Sequence, residues 1–186
     1  MYIWIACDVS ESLSCIRKAC VLKNQELLLD ETAFSLPQHI SLKISFEVAN
    51  TISDDVIGFV SEYLSEQPEL VLDAPSPELY GSILWLKFSE DPELLRMHRE
   101  LDDSLLHKFA VQQHEYDKDF KYHSTLFIDS SSDLEPMYRF VSCLGMPEKI
   151  KIDRFIIGVS ESGKAGEYSV LKVIKARKKQ IKSLRP

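Results

Sequence analysis

The chain opens on an apolar run, residues 2–9 (YIWIACDV), rich in β-branched and aromatic types, which predicts a buried strand. Ser10 offers an N-cap, and Leu13, Ile16 and Cys20 at helical spacing predict a helix reaching into the twenties. Beyond Pro37, His39, Ser41, Lys43 and Ser45 alternate with Ile40, Leu42, Ile44 and Phe46, a period of two that predicts a strand with one polar and one apolar face. Val56, Val60, Tyr63 and Leu64 mark a helix from Ser53; residues 69–74 read as a short strand and Pro75 and Pro77 as a turn region. The same order then recurs. A strand over 81–88 precedes a helix opened by Asp91 and Pro92, with Leu94, Met97, Leu101, Leu105 and Phe109 in register. A strand over 121–128, a helix around 132–145 and a strand near 150–159 follow, and a last strand is expected over 168–177.

This is β-α-β-α-β written twice, with a closing strand. The first strands are offset by 79 residues and the histidine strands by 84, so the repeat is one of pattern rather than of letters. The fold class expected is α+β: two pseudo-symmetric lobes, each an antiparallel-type sheet with helices on its outer face, enclosing a central groove. No linker divides the halves, so residues 1–186 read as one bilobal domain, about 1–78 and 79–165 with the closing strand and a basic tail. Ile3, Ile5, Cys7 and Val9, with Leu84, Leu86 and Phe88, should face the helices; Tyr2, Trp4, Ile83 and Trp85 should face the groove.

Composition changes this picture in two places. At 186 residues folding buries roughly 70% of the unfolded chain's surface, so the core needs no metal or disulfide staple. Cys7, Cys15, Cys20 and Cys143 contain no CxxC pair and read as free, buried thiols of a reducing compartment. The N-terminal run is too short for a signal peptide, and no segment approaches the roughly 18 apolar residues of a membrane span, so a cytoplasmic protein without membrane contact is expected. The net charge of −7 is unevenly spread: residues 172–186 hold seven bases (Lys172, Lys175, Arg177, Lys178, Lys179, Lys182, Arg185) and no acid, leaving 15 bases against 29 acids, a net of −14, elsewhere. So acidic a body repels a polyanion, and a nucleic-acid ligand would have to be met locally, in a pocket. The tail is either a solvated terminus or a contact for RNA or a membrane surface.

The repeat places one histidine at the same point of each half. His39 and Ser41 share a strand face, and His123 and Thr125 share another, two residues and roughly 7 Å apart along each strand. An imidazole titrates near ~6.5, so one can take a proton while the other gives one up. A hydroxyl two residues along can donate to a phosphoryl oxygen that the imidazole also approaches. Two such strands across a pseudo-two-fold groove make a metal-free site for cleaving a phosphodiester. By the same alternation Lys43 lies on the face of His39 and Lys121 on that of His123; each either steadies phosphate charge or reaches past the rim into water. Trp85 and Trp4 either stack a nucleobase or pack one lobe on the other, and Tyr168 is a further stacking candidate. His98, His107 and His114 read as helix-face or loop residues, and Ser160–Gly166 as a hairpin loop.

The tetrapeptides His39-Ile40-Ser41-Leu42 and His123-Ser124-Thr125-Leu126 resemble the paired His-hydrophobic-Thr/Ser-hydrophobic signatures of the 2H phosphoesterase superfamily, the group containing the RNA ligase-like 2′,3′-cyclic phosphodiesterases. The resemblance extends over nearly the whole chain, through the repeated lobes and the C-terminal hairpin. It implies opening of a 2′,3′-cyclic phosphate or 2′-5′ linkage at an RNA end or in a nucleotide, with one histidine activating water and the other protonating the departing ribose oxygen. It also implies that Ser41 and Thr125 bind phosphoryl oxygens and that no metal or other cofactor takes part. A monomer is expected. Two positions depart from the family pattern: Tyr122 stands where a proline is frequent, and Ser124 where an apolar residue is usual. The alternative is a binding module that keeps the groove and grips RNA ends or nucleotides without turnover.

Overall fold

Strand β1 (Tyr2–Asp8) lies at the centre of a four-stranded antiparallel sheet ordered β2-β1-β8-β9, with β2 (His39–Glu47), β8 (Arg154–Ser160) and β9 (Ser169–Lys175). A computed structural model describes residues 1–178; the basic residues Lys179, Lys182 and Arg185 lie outside the described residues. A second antiparallel sheet, ordered β4-β5-β6, joins β4 (Ser76–Tyr80), β5 (Ile83–Lys87) and β6 (His123–Ile128), and a third pairs β3 (Leu70–Asp73) with β7 (Lys149–Ile152). Helices α1 (Ser14–Leu27), α2 (Ser53–Ser65), α3 (Pro92–Phe109), α4 (Glu115–Lys118) and α5 (Glu135–Ser142) complete the α+β arrangement. Among the described residues no helix is long and apolar enough to cross a membrane.

The duplication is also an exchange. The last strand of the first half, β4, pairs with β5 of the second, and the last strand of the second half, β8, pairs with β1 of the first. Strands β3 and β7 occupy equivalent places in the two halves and pair with each other. Neither sheet is complete without a strand from the other half, and the division expected near residue 79 falls inside β4.

Outward-facing residues follow the sequence pattern. Ile3, Ile5, Cys7 and Val9 with Leu84, Leu86 and Phe88 are buried in one continuous core, together with Ile16 and Cys20 of α1, Val56, Val60 and Leu64 of α2, the Leu94 to Leu105 stripe of α3 and Met137 and Val141 of α5. On the other face of the first sheet Trp4, Ala6 and Ile156 form a smaller cluster with Leu36 and Tyr168.

Four expectations are corrected. Helix α1 starts at Ser14 because Ser10 is engaged elsewhere: its amide and hydroxyl both donate to Asp8 Oδ1 (2.9 and 2.5 Å), closing an Asx turn at the end of β1. The Pro75 and Pro77 region contains the strand β4, which lies at a sheet edge where a missing N–H is tolerated, and it returns through Gly81 at φ +59°. The strand expected near 150–159 is two strands in two sheets, parted at Asp153. Cys7 and Cys20 are buried, but Cys15 and Cys143 are exposed, on α1 and just after α5.

The long helix α3 is opened as its sequence implies, Asp91 Oδ1 accepting the amides of Glu93 (2.9 Å) and Leu94 (3.0 Å) ahead of Pro92 at the first turn. Asp91→Ala is expected to cost about 1 kcal/mol of unfolding free energy in urea titrations, the usual value of an N-cap.

Candidate active site

Strand β2 continues the run from Pro37, and β6 the run from Lys121, each delivering a histidine as its first residue. The two imidazoles are held alike. His39 donates from Nδ1 to the Pro37 carbonyl (2.7 Å) and His123 from Nδ1 to the Lys121 carbonyl (3.0 Å), each two residues back along its own chain. Fixing the Nδ1 proton leaves Nε2 of each ring as the nitrogen free for chemistry. Each ring also packs on the tryptophan of the neighbouring strand: Trp4 lies 4.7 Å from His39, edge to face, and Trp85 lies 4.3 Å from His123.

The histidine strands come from different lobes and are joined directly. Ser124, following His123, donates to Oε1 of Gln38, preceding His39 (2.9 Å), and both side chains are buried. Ser124 and Gln38 thus bridge the two histidine strands.

Burial lowers both imidazole pKa values below the ordinary 6.5. For His39 this is opposed by the Pro37 carbonyl and by the carboxylate of Asp8, its partner across β1 and β2. For His123 the Lys121 carbonyl opposes it, while the charge of His39 adds to it. The two rings therefore sense each other, and the carboxylate of Asp8 lies on the His39 side.

A pocket of about 450 Å³ opens beside His123, lined from the first lobe by Ser41, Leu42 and Ile44 and from the second by Tyr80, Trp85, Lys121 and His123. Ser41 stands two residues beyond His39, opposite Ala6, and Thr125 two beyond His123, opposite Trp85, so each hydroxyl shares the groove face of its sheet. Neither has a protein hydrogen-bond partner among the described residues. Lys121 lines the pocket and pairs with Asp119 (2.6 Å), whose hydrogen bond raises the lysine pKa.

Three expected site residues are placed differently. Lys43 does not share the face of His39. The β1–β2 pairing shifts register between Ala6–Ser41 and Ile5–Lys43, a bulge that turns Lys43 to the side of Ile5 and the core. Trp85 is packed against both His123 and Tyr80, the latter stacked on it at 4.6 Å and 15°, and is only 5% exposed; its buried Nε1 has no partner among the described residues. It serves as a backing for His123, and the ring left open to the groove is Tyr80, 55% exposed. Tyr168 packs beside Trp4, with its hydroxyl bonded to Ser45 and to the Gly163 carbonyl (3.2 Å). Sequence periodicity does not mark Asp8, Gln38 or Tyr80. Asp8 could have been found from the strand pairing that sets it opposite His39; Tyr80 was hidden by the prolines of β4.

No protein-family model and no curated protein matches the chain. Solved structures do. TT0787 of Thermus thermophilus is 16% identical with a TM-score of 0.64, over 97% of this chain and 100% of that one. A structure described as a phosphoesterase is 15% identical with a TM-score of 0.61, over 94% and 98%. E. coli LigT complexed with NADP+ is 16% identical with a TM-score of 0.61, over 94% and 96%. The chain shares the α+β fold of these proteins over 94–97% of its length.

Gly158 faces Trp4 across β1 and β8, and a Cβ there would stand 2.6 Å from the indole Cε3. Gly158→Ala is expected to cost about 1–3 kcal/mol in thermal unfolding by displacing the ring behind His39. Gly58→Ala in α2, with nothing within 4 Å, serves as the control and should be neutral or stabilising.

Proposed function

We propose that this groove is the active site of a metal-independent phosphoesterase that hydrolyses a 2′,3′-cyclic phosphate or 2′-5′ phosphodiester at an RNA end or in a nucleotide. The observation that carries the reading is the pair of tryptophan-backed histidines, each with Nδ1 on the carbonyl two residues back and Nε2 free, bridged by Gln38 and Ser124. The fold shared with a phosphoesterase supports it. Structures of E. coli LigT complexed with 3′-AMP and with NADP+ support a nucleotide as the ligand.

One imidazole takes a proton from water as the hydroxide forms its bond to phosphorus. The bond from phosphorus to the departing ribose oxygen breaks, and the other imidazole supplies that oxygen's proton. Both proton transfers are met by side chains, so the step needs no metal. Ser41 and Thr125 donate to the non-bridging oxygens, and Lys121 adds positive charge at the pocket wall. Asp8 stands opposite His39 across β1 and β2, and on that placement we assign His39 as the acid and His123 as the base. The acidic body suits a short substrate over a long polyanion.

His39→Ala and His123→Ala should each lower kcat/KM on a nucleoside 2′,3′-cyclic phosphate by about 100- to 10,000-fold with the fold retained. On a 4-nitrophenyl phosphodiester, whose leaving group needs no proton, His39→Ala should lose far less than His123→Ala. Full activity of both variants on the cyclic nucleotide would sink the mechanism.

The base must be neutral and the acid charged, so kcat/KM rises with pH through the lower pKa and falls through the higher. Since both are displaced below 6.5, the bell is expected to centre on the acid side of 6.5 and to persist in EDTA. An optimum well above neutrality, or a strict metal requirement, would contradict this assignment.

A further inference from the structure

Lys43 is 1% exposed and lies between two carboxylates, Asp102 Oδ1 of α3 (2.5 Å) and Asp117 Oδ2 of α4. The other Asp102 oxygen accepts from Gln113 Nε2, and Asp117 Oδ2 also accepts the His114 amide (2.9 Å). His98 of α3 runs alongside, its Nδ1 2.7 Å from the Leu42 carbonyl and its Nε2 2.8 Å from the Asp117 carbonyl, with its ring stacked on Phe120 at 4.3 Å. Together these links tie β2 and α3 to one stretch of chain, residues 113–120, between α3 and β6.

That stretch has little else to hold it. Between residues 112 and 120 Asp117 alone is buried. Helix α4 is four residues long, too short to persist by its own hydrogen bonds. Yet the stretch supplies Glu115, Tyr116, Asp119 and Phe120 to the pocket beside His123. A buried ammonium whose removal leaves carboxylates unpaired in the interior is a strong constraint on where such a segment can sit.

We infer that Lys43 is a positioning residue. Through Asp117 it fixes residues 112–120 as the outer wall of the pocket, and so determines how tightly the nucleoside flanking the reacting phosphate is held. The kinetic side of this inference rests on the phosphoesterase reading; the structural side does not.

The test uses the full chain carrying Lys43→Met, and separately Asp117→Ala, which frees the segment while leaving Lys43 paired to Asp102 should the first variant not fold. Amide hydrogen exchange over residues 112–120 should quicken in either variant while β2 and β6 keep their protection. KM for a nucleoside 2′,3′-cyclic phosphate should rise about tenfold with kcat little changed, while KM for glycerol 1,2-cyclic phosphate, which has no base to meet the wall, stays as it was. Unchanged exchange in a folded variant overturns the tether. Quickened exchange with KM rising equally on both substrates, or with kcat alone falling, overturns its role in holding the nucleoside. Failure of the unmodified protein to turn over either substrate defeats the phosphoesterase reading, and the tether is then decided by exchange alone.

Discussion

Two histidines can work as one acid-base pair only if the strands that carry them are fixed against each other, and here those strands belong to different lobes. The buried bond from Ser124 to Gln38 joins the residue after one histidine to the residue before the other. Around it, the exchange of β4 and β8 and the pairing of β3 with β7 make each sheet depend on the opposite half of the chain. The lobes therefore cannot part without breaking sheet hydrogen bonds, and the groove has a fixed floor. Loss of either member of the Gln38–Ser124 pair would leave the other a buried polar group without a partner, which costs more than the bond itself contributes.

The ring supports extend the same economy of parts. A tryptophan behind each imidazole lowers the local dielectric, and a carbonyl at each Nδ1 sets which nitrogen is free. Symmetry is then broken by electrostatics: Asp8 lies beside His39, and the pocket wall beside His123 is built from aromatic rings and the Asp119–Lys121 pair.

Much of this could be read along the chain. Periodicity located most strands and the long helices because each buries one face, and the paired His-x-Ser and His-x-Thr strands were visible because side chains alternate strictly along a regular strand. Lys43 shows where that logic ends. A one-residue bulge reverses the alternation, and nothing in the local sequence marks it, since the register shift is a property of the pairing with β1. Strand β4 was hidden for a related reason: prolines argue against a strand in general but not at an edge, and edge position is decided by neighbours remote in sequence.

The sequence alone determined the α+β pattern, its duplication, the Asp91 cap of α3, and the placing of His39 with Ser41 and of His123 with Thr125 on shared strand faces. Tertiary structure decided the rest, because each remaining feature joins residues far apart in the chain. It chose which half supplies each sheet's last strand, drew Lys43 away from the groove to Asp102 and Asp117, enclosed Trp85 between Tyr80 and His123, and set Asp8 beside only one of two otherwise equivalent imidazoles. Charge and burial act through space, and a periodic pattern in one dimension cannot say which charge will stand next to which ring.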